Sequence, residues 1–126
     1  MPPLDKQIDT SSSLTYFAMP LGRTIPELQQ EAFETNKAHG FLGNSVETAI
    51  ALMHSELSEA LESHRKSEPF LWIDGTKPEG LAAEYADVVV RILSDCGERG
   101  INLAHAIELK MAFNKTRPFR HGGKKF

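Results

Sequence analysis

The chain has 126 residues, of which 40% are hydrophobic and 25% charged, proportions that suit one globular domain and exclude wholesale disorder. Its 17 acidic residues exceed its 14 lysines and arginines, and the resulting net charge of −3 argues against a general nucleic-acid-coating protein. The single cysteine, Cys96, excludes an internal disulfide framework and a cysteine-rich zinc site. The sequence has no apolar run near the ~20 residues of a membrane span and no signal-peptide pattern at its N-terminus. We therefore expect a cytoplasmic protein with no membrane association.

Helix signals predict an all-α, four-helix, bundle-like domain over residues 24–126, preceded by an irregular tail over residues 1–23. Thr24 and Glu27 have the spacing of a capping box, and Thr76 and Glu79 repeat that pattern ahead of the third helix. No alternating apolar and polar stretch is long enough to predict a sheet. The four predicted helices span about residues 25–39, 45–66, 77–97 and 103–116.

The apolar residues of the two middle helices indicate how the helices pack. The second helix carries one apolar stripe that we expect to face the core, formed by Val46, Ile50, Met53, Leu57, Ala60 and Leu61. The third helix is apolar nearly all round, with Leu81, Tyr85, Val88 and Ile92 on one face and Ala83, Ala86, Val90 and Leu93 on the other. A helix of this kind is expected to be buried on all sides. We therefore predict that it is central and that a second subunit helps to cover it, as in a homodimer.

Four carboxylates occupy these same two helices in a repeated spacing. Glu56 and Glu59 form a Glu-x-x-Glu pair, and after 24 intervening residues Glu84 and Asp87 form a Glu-x-x-Asp pair within an otherwise apolar run. One such pair alone is usually a solvated surface feature, but two on consecutive helices favour a cluster that needs a cation or basic side chains to neutralise it. Oxygen ligands suit Mg²⁺ or Mn²⁺ and not zinc. No Glu-x-x-His motif accompanies these positions, which disfavours a di-iron site.

The C-terminal end is basic. After Glu108 the chain has no acidic residue and six basic ones. Lys110, Asn114 and Arg117 share one face of the fourth helix, which favours contact with metal-bound phosphates. The alternatives are a solvated basic terminus or a nucleic-acid contact, and the solvated interpretation is favoured for Lys124 and its neighbour.

Three segments together resemble the MazG-like nucleoside triphosphate pyrophosphohydrolases of the all-α NTP pyrophosphatase superfamily. They read ALMHSELSEALESHRK, GLAAEYADVVVRIL and KMAFNKTRPFRHGGKKF. The resemblance covers roughly residues 33–124 and excludes the first 23. It implies Mg²⁺-dependent hydrolysis of the α–β bond of a (deoxy)nucleoside triphosphate to the monophosphate and pyrophosphate, with metal-activated water as nucleophile and Mn²⁺ as a substitute ion. It also implies a homodimer or a dimer of dimers.

The resemblance further implies roles for individual residues. The metal ligands would be the four carboxylates, and Glu59, with Glu56, would also serve catalysis by orienting or deprotonating the attacking water. Substrate would be held by Lys110, Asn114, Arg117, Arg120, His121 and Lys124. Lys37 lies where related enzymes often build the base pocket. Trp72 is a candidate to stack on the base, although covering the core is an equally good interpretation.

Two other functions stay open at the level of sequence. Phosphoribosyl-ATP pyrophosphohydrolases share the superfamily's helices and metal carboxylates. A non-catalytic helical dimer that binds nucleotide or nucleic acid through its basic end is the alternative of another class. Retention of all four carboxylates argues against the second, because a binding protein has no need of them.

Overall fold

Four long helices and one short hairpin make up residues 22–126, the part of the chain that the structure, a computed structural model, describes. The helices are α1 (Ile25–Ala38), α2 (Val46–Arg65), α3 (Leu81–Arg99) and α4 (Leu103–Thr116), followed by one helical turn, α5 (Arg120–Gly123). The hairpin strands are β1 (Trp72–Asp74) and β2 (Lys77–Glu79). The predicted all-α, bundle-like class is confirmed. The predicted N-terminal tail, residues 1–23, lies almost wholly outside the described residues.

The start of the third helix was predicted wrongly. Residues 72–79 form an antiparallel hairpin in which Asp74 pairs with Lys77 across a two-residue turn, and α3 begins only at Leu81. Gly75, first in the turn, has a φ of 63°, which glycine adopts without steric cost. The turn signal at Asp74-Gly75 thus prevails over the Thr76–Glu79 capping pattern. The two strands were not predicted because strands of three residues are too short to show an alternating pattern.

Helix α3 is the central element, and α2 runs antiparallel to it. Near the start of α2, the carbonyl oxygen of Asn44 accepts a hydrogen bond from Arg99 at the end of α3. Half-way along, Glu56 accepts one from Arg91. The two helices therefore face each other over much of their length, which is what brings their carboxylates together.

Helix α1 packs antiparallel on another side of α3. The side chain of Asn36 donates to the hydroxyl of Ser94, with 2.6 Å between the heavy atoms. About one turn further along α3, a Cβ added to Gly97 would lie 2.7 Å from the Cβ of Phe33, so only glycine permits this approach of α1 to α3. The buried apolar core is correspondingly small and is made of Ala49, Ala60, Ala83, Leu93 and Cys96.

The apolar stripe predicted to face the core from α2 points largely outward, which corrects that prediction. Val46, Ile50, Leu57 and Leu61 are each 46–50% exposed, and of the predicted stripe only Ala60 is buried. Helix α2 instead turns its narrow face toward α3, formed by Ala49, Glu56, Ala60 and Ser63. Small side chains allow the two backbones to approach closely, and the larger apolar residues are left on the outside.

Helix α3 is central, as predicted, but one protomer does not bury it on all sides. Tyr85, Val89 and Val90 are each about half-exposed, at 47–52%. Helix α4 contacts the rest of the fold mainly through α1, and its Leu109, Met111 and Phe113 are exposed. Within residues 22–126, no helix combines the length and apolar character that crossing a bilayer requires.

Candidate metal centre

Three of the four predicted carboxylates converge between α2 and α3. Glu56, Glu84 and Asp87 each offer an oxygen, and these oxygens lie within 4.8 Å of one another. The i, i+3 spacing puts two carboxylates on one side of α3, and the antiparallel α2 presents Glu56 to them. Glu59, one turn further along α2, is exposed at the edge of the cluster and acts electrostatically on Glu84. We refer to these four residues as the carboxylate cluster.

Glu84 is the most perturbed member of the cluster. Burial, followed by hydrogen bonding and charge from Glu59 and then Glu56, raises the pKa of Glu84 to about 7. Its Oε2 atom is buried and has no hydrogen-bond partner among the described residues. Because its neighbours are carboxylates, this oxygen can be satisfied by a proton shared with one of them, by water or by a bound cation. An orphaned buried oxygen of this kind fits a metal ligand.

Glu56 is held in its charged form by an arginine. Nε and Nη2 of Arg91 both lie 2.8 Å from the same oxygen, Oε1 of Glu56. Burial alone would raise the pKa of Glu56, but the hydrogen bond and charge of Arg91 outweigh burial and the pKa is lowered. One of the four carboxylates is thus neutralised by the protein itself.

Asp87 shares the surroundings of Glu84 and responds in the same direction. Burial, followed by the negative charge of Glu56, raises the pKa of Asp87, and nearby Arg91 and Lys77 oppose that rise. The rise indicates that the existing cations do not fully compensate the cluster.

The hairpin adds a cation that sequence reasoning missed. Lys77 forms an ion pair with Glu79, with 2.9 Å between Nζ and Oε1, and this contact raises the pKa of Lys77. Glu84 and Glu59 contribute to that rise through their charges, so Lys77 lies within electrostatic reach of the cluster. The Asp-Gly turn was the signal that would have located it, since that turn folds Lys77 back toward α3.

The donor set fits a hard divalent cation. Arg91 and Lys77 are the basic residues that act on the cluster in the described chain, and Lys77 is already paired with Glu79. The unbalanced negative charge and the all-oxygen ligands are those that Mg²⁺ and Mn²⁺ prefer. A structural ion-pair network is the competing interpretation, in which a proton shared among the carboxylates, and not a cation, satisfies the buried oxygen of Glu84.

Cavities adjoin the cluster on two sides. A cavity of about 480 Å³ shares Glu56 and Asp87 with it and is otherwise lined by Asn36, Phe41, Asn44, Leu52, Val90 and Arg91. A second, of about 240 Å³, includes Glu59 and Glu84 together with Lys77 and Glu79 of the hairpin. The larger cavity combines amide groups with an aromatic ring, a lining suited to a small polar organic group.

The predicted phosphate-binding stripe on α4 does not join the carboxylate cluster within one protomer. Lys110 and Arg117 instead lie near the ring of Phe113, at 5.5 and 5.9 Å from its centroid. Asn114, between them, is exposed. Among residues 22–126, none of the ion pairs connects this stripe to the carboxylates.

Arg120 and Lys124, two further predicted substrate residues, form no ion pair with the carboxylate cluster among residues 22–126. Arg120 begins α5 and lies over the ring of Phe119, and Lys124, which follows α5, is exposed. His121 belongs to α5, but its side chain lies outside the described part of the chain. The roles predicted for these residues stay predictions.

Lys37 and Trp72 also occupy different parts of the fold. Lys37 is exposed in the last turn of α1. Trp72 is half-buried in β1, where its Nε1 donates to Oε2 of Glu68 at 3.4 Å. This anchoring favours the role of covering the core over that of stacking on a base.

Comparisons with known proteins returned no match to a family model, to a curated protein or to a solved structure. The resemblance to MazG-like enzymes therefore rests on the motifs of this sequence alone.

Proposed function

We propose that the protein is a nucleoside triphosphate pyrophosphohydrolase that uses Mg²⁺, with Mn²⁺ as a substitute, to cleave the α–β phosphoanhydride bond. The observation that carries this proposal is the buried, partnerless Oε2 of Glu84 inside a group of converging carboxylate oxygens. The motif resemblance supplies the reaction class. The location that we propose is the cytoplasm, where nucleoside triphosphates are available.

Each carboxylate has a proposed task. Glu56, Glu84 and Asp87 would hold the cation, which when bound supplies charge neutralisation and an activated water. Glu84 must lose its proton before it can act as a ligand, and a pKa of about 7 allows this near neutral pH. Glu59, exposed at the edge of the cluster, would orient the attacking water and accept its proton.

Substrate would lie across the cluster. We propose that the base occupies the cavity of about 480 Å³ beside Asn36 and Phe41, and that the triphosphate extends past the carboxylates. Lys110 and Arg117 would then bind phosphate oxygens through charge-assisted hydrogen bonds.

Assembly is part of this proposal, because α4 of one protomer leaves its basic stripe away from its own carboxylates. We propose a homodimer, or a dimer of dimers, that covers the exposed apolar faces of α2 and α3, including Leu57, Leu61 and Tyr85. Sedimentation of the purified protein at micromolar concentration tests this. A stable, folded 14.0 kDa monomer would contradict it.

Product analysis tests the reaction itself. Incubation with a panel of ribo- and deoxyribonucleoside triphosphates and Mg²⁺ should release monophosphate and pyrophosphate in equal amounts. Diphosphate and orthophosphate as primary products would reject α–β cleavage. Turnover of phosphoribosyl-ATP alone would favour the related pyrophosphohydrolase, and binding without turnover would favour the non-catalytic alternative.

A further inference from the structure

Arg91 holds Glu56 in an arrangement that a bound cation would disturb. Its Nε and Nη2 both donate to Oε1 of Glu56, and each nitrogen lies 2.8 Å from that oxygen. Glu56 is buried and belongs to the group whose oxygens converge within 4.8 Å. Oε1 already accepts two charge-assisted hydrogen bonds, so a cation must either displace Arg91 from Oε1 or bind Oε2 against the repulsion of the adjacent guanidinium. Arg91 and a cation therefore compete for the negative charge of Glu56.

The side chain of Arg91 also has an alternative location, the cavity beside the cluster. Its side chain is 39% exposed, and it lines the same cavity of about 480 Å³ that opens beside Glu56 and Asp87. A guanidinium carries five N–H donors in a planar fork and stays charged at every physiological pH. If it is freed from Glu56, its preferred partner in that cavity is a phosphate.

We propose that Arg91 is an exchangeable counter-ion, which neutralises Glu56 in the metal-free protein and turns to a substrate phosphate when a divalent cation takes Glu56. The inference rests on the proposed function, because it requires the carboxylate cluster to bind the cation. The exchange also predicts that the cation and a polyphosphate increase each other's affinity, because cation binding releases the Arg91 guanidinium and the guanidinium then binds phosphate.

The competing role for Arg91 is permanent positioning of Glu56 as a ligand. The two roles predict opposite signs for the removal of Arg91. A positioning residue raises cation affinity, so its loss weakens binding. A competing counter-ion lowers cation affinity, so its loss strengthens binding.

The first measurement is the binding of Mn²⁺ alone, followed by electron paramagnetic resonance, to wild type and to Arg91→Gln. We expect Arg91→Gln to bind Mn²⁺ about 3- to 10-fold more tightly, a range that discounts the strength of a charge-assisted contact for partial exposure. The matched control is Arg99→Gln, because Arg99 lies on the same helix and pairs with Asp95 outside the cluster. It should bind Mn²⁺ as wild type does.

The second measurement is the binding of inorganic tripolyphosphate in the presence of excess Mn²⁺, followed by calorimetry. Here Arg91→Gln should bind about 10-fold more weakly than wild type, because the freed guanidinium is missing. Tighter cation binding combined with weaker polyphosphate binding is a pair of effects that a general loss of structure does not produce. Equal tripolyphosphate affinity in the two proteins would overturn the exchange.

The outcomes separate this inference from the function on which it rests. If wild type binds no Mn²⁺, the metal centre itself is wrong. If wild type binds Mn²⁺ and Arg91→Gln binds it equally or more weakly, the metal centre stands and the exchange is overturned. Should Arg91→Gln fail to fold, Arg91→Lys keeps the charge but loses the two-nitrogen contact, and Mn²⁺ affinity should still rise, by a smaller factor. Unchanged or lower Mn²⁺ affinity in Arg91→Lys would likewise overturn the exchange.

Discussion

The carboxylate cluster and the basic stripe of α4 were both predicted from spacing along a helix, but only the carboxylates are brought together by helix packing. The carboxylates lie on α2 and α3, which face each other over much of their length, so their oxygens converge. Lys110 lies on a helix that contacts little beyond α1. Arg117 follows that helix as its C-cap with an extended backbone, which corrects the prediction that it continues the helical face. Both residues stay exposed or half-exposed beside Phe113. Spacing places residues on one face of a helix, but only packing brings two faces together. The carboxylates therefore meet within a single chain, whereas the basic stripe has no ion pair with them among residues 22–126.

The largest expected effect is loss of activity on changing the cluster. Glu59→Gln and Glu84→Gln should each lower kcat/KM by about 10³-fold or more, or roughly 4 kcal/mol, because a ligand or proton acceptor is lost. Initial-rate measurements with Mg²⁺ check this. Glu62→Gln is the matched control, since Glu62 continues the line of α2 outward, toward Lys66, and should retain wild-type rates. Activity retained in both cluster variants would remove the basis for the metal centre.

Next in size is the effect of the metal on stability. At a Mg²⁺ concentration of about 100 times Kd, linkage predicts roughly 2.7 kcal/mol of stabilisation for wild type and less for Glu84→Gln. In EDTA above about pH 7, where Glu84 of wild type has lost its proton, the order should change: Glu84→Gln melts no lower than wild type and up to a few degrees higher, because one repelling charge is gone. Thermal melts of both proteins with EDTA and with Mg²⁺ make the comparison. Identical melts in all four conditions would mean that the cluster binds no Mg²⁺.

The basic stripe should give a smaller effect. Lys110→Ala and Arg117→Ala are each expected to lower kcat/KM by about 10- to 100-fold, or 1.4–2.7 kcal/mol, while the fold stays intact. Steady-state kinetics and circular dichroism test the two parts of this prediction. Lys115→Ala provides the control, because Lys115 is on the same helix but off the stripe. If all three variants behave as wild type, α4 is a solvated basic surface that does not bind substrate.

The smallest effect concerns pH. The pKa of Glu84 is raised to about 7 in the folded protein, from an ordinary value of 4.5, so the folded state binds this proton more tightly than the unfolded state does. The free energy of unfolding of the metal-free protein should therefore fall as the pH rises from about 5 to about 7 and then level off, by an order of 1 kcal/mol after allowance for solvent screening. The lowered pKa of Glu56 acts in the opposite direction, but below this window.

Denaturant unfolding in EDTA at several pH values measures this dependence, and Glu84→Gln isolates it. All other titratable residues are common to both proteins, so the difference between wild type and variant reports Glu84. Parallel pH profiles for the two proteins would contradict the assignment.

The carboxylate cluster was predictable because its members lie three residues apart on each of two helices. Glu-x-x-Glu and Glu-x-x-Asp must each share one side of a helix, and charges within an apolar run must find a neutralising partner. The bounds of α1 and α4 followed equally directly from local capping residues, such as Thr24 and Asn102. These are short-range features, and they held where no competing turn signal was present; the Thr76–Glu79 capping pattern gave way to the hairpin.

What the sequence could not decide was which face of each helix meets which neighbour. The apolar stripe of α2 predicted a core face, but the tertiary structure buries Ala49, Ala60 and Glu56 against α3 and leaves Leu57 and Leu61 outside. Close approach of two backbones favours small residues at the contact, and hydropathy alone does not report that preference. The pairing of Arg91 with Glu56, 35 positions apart, likewise exists only because α2 and α3 run antiparallel. Local sequence thus determined most of the helices and the spacing of the carboxylates, and packing decided which of them meet.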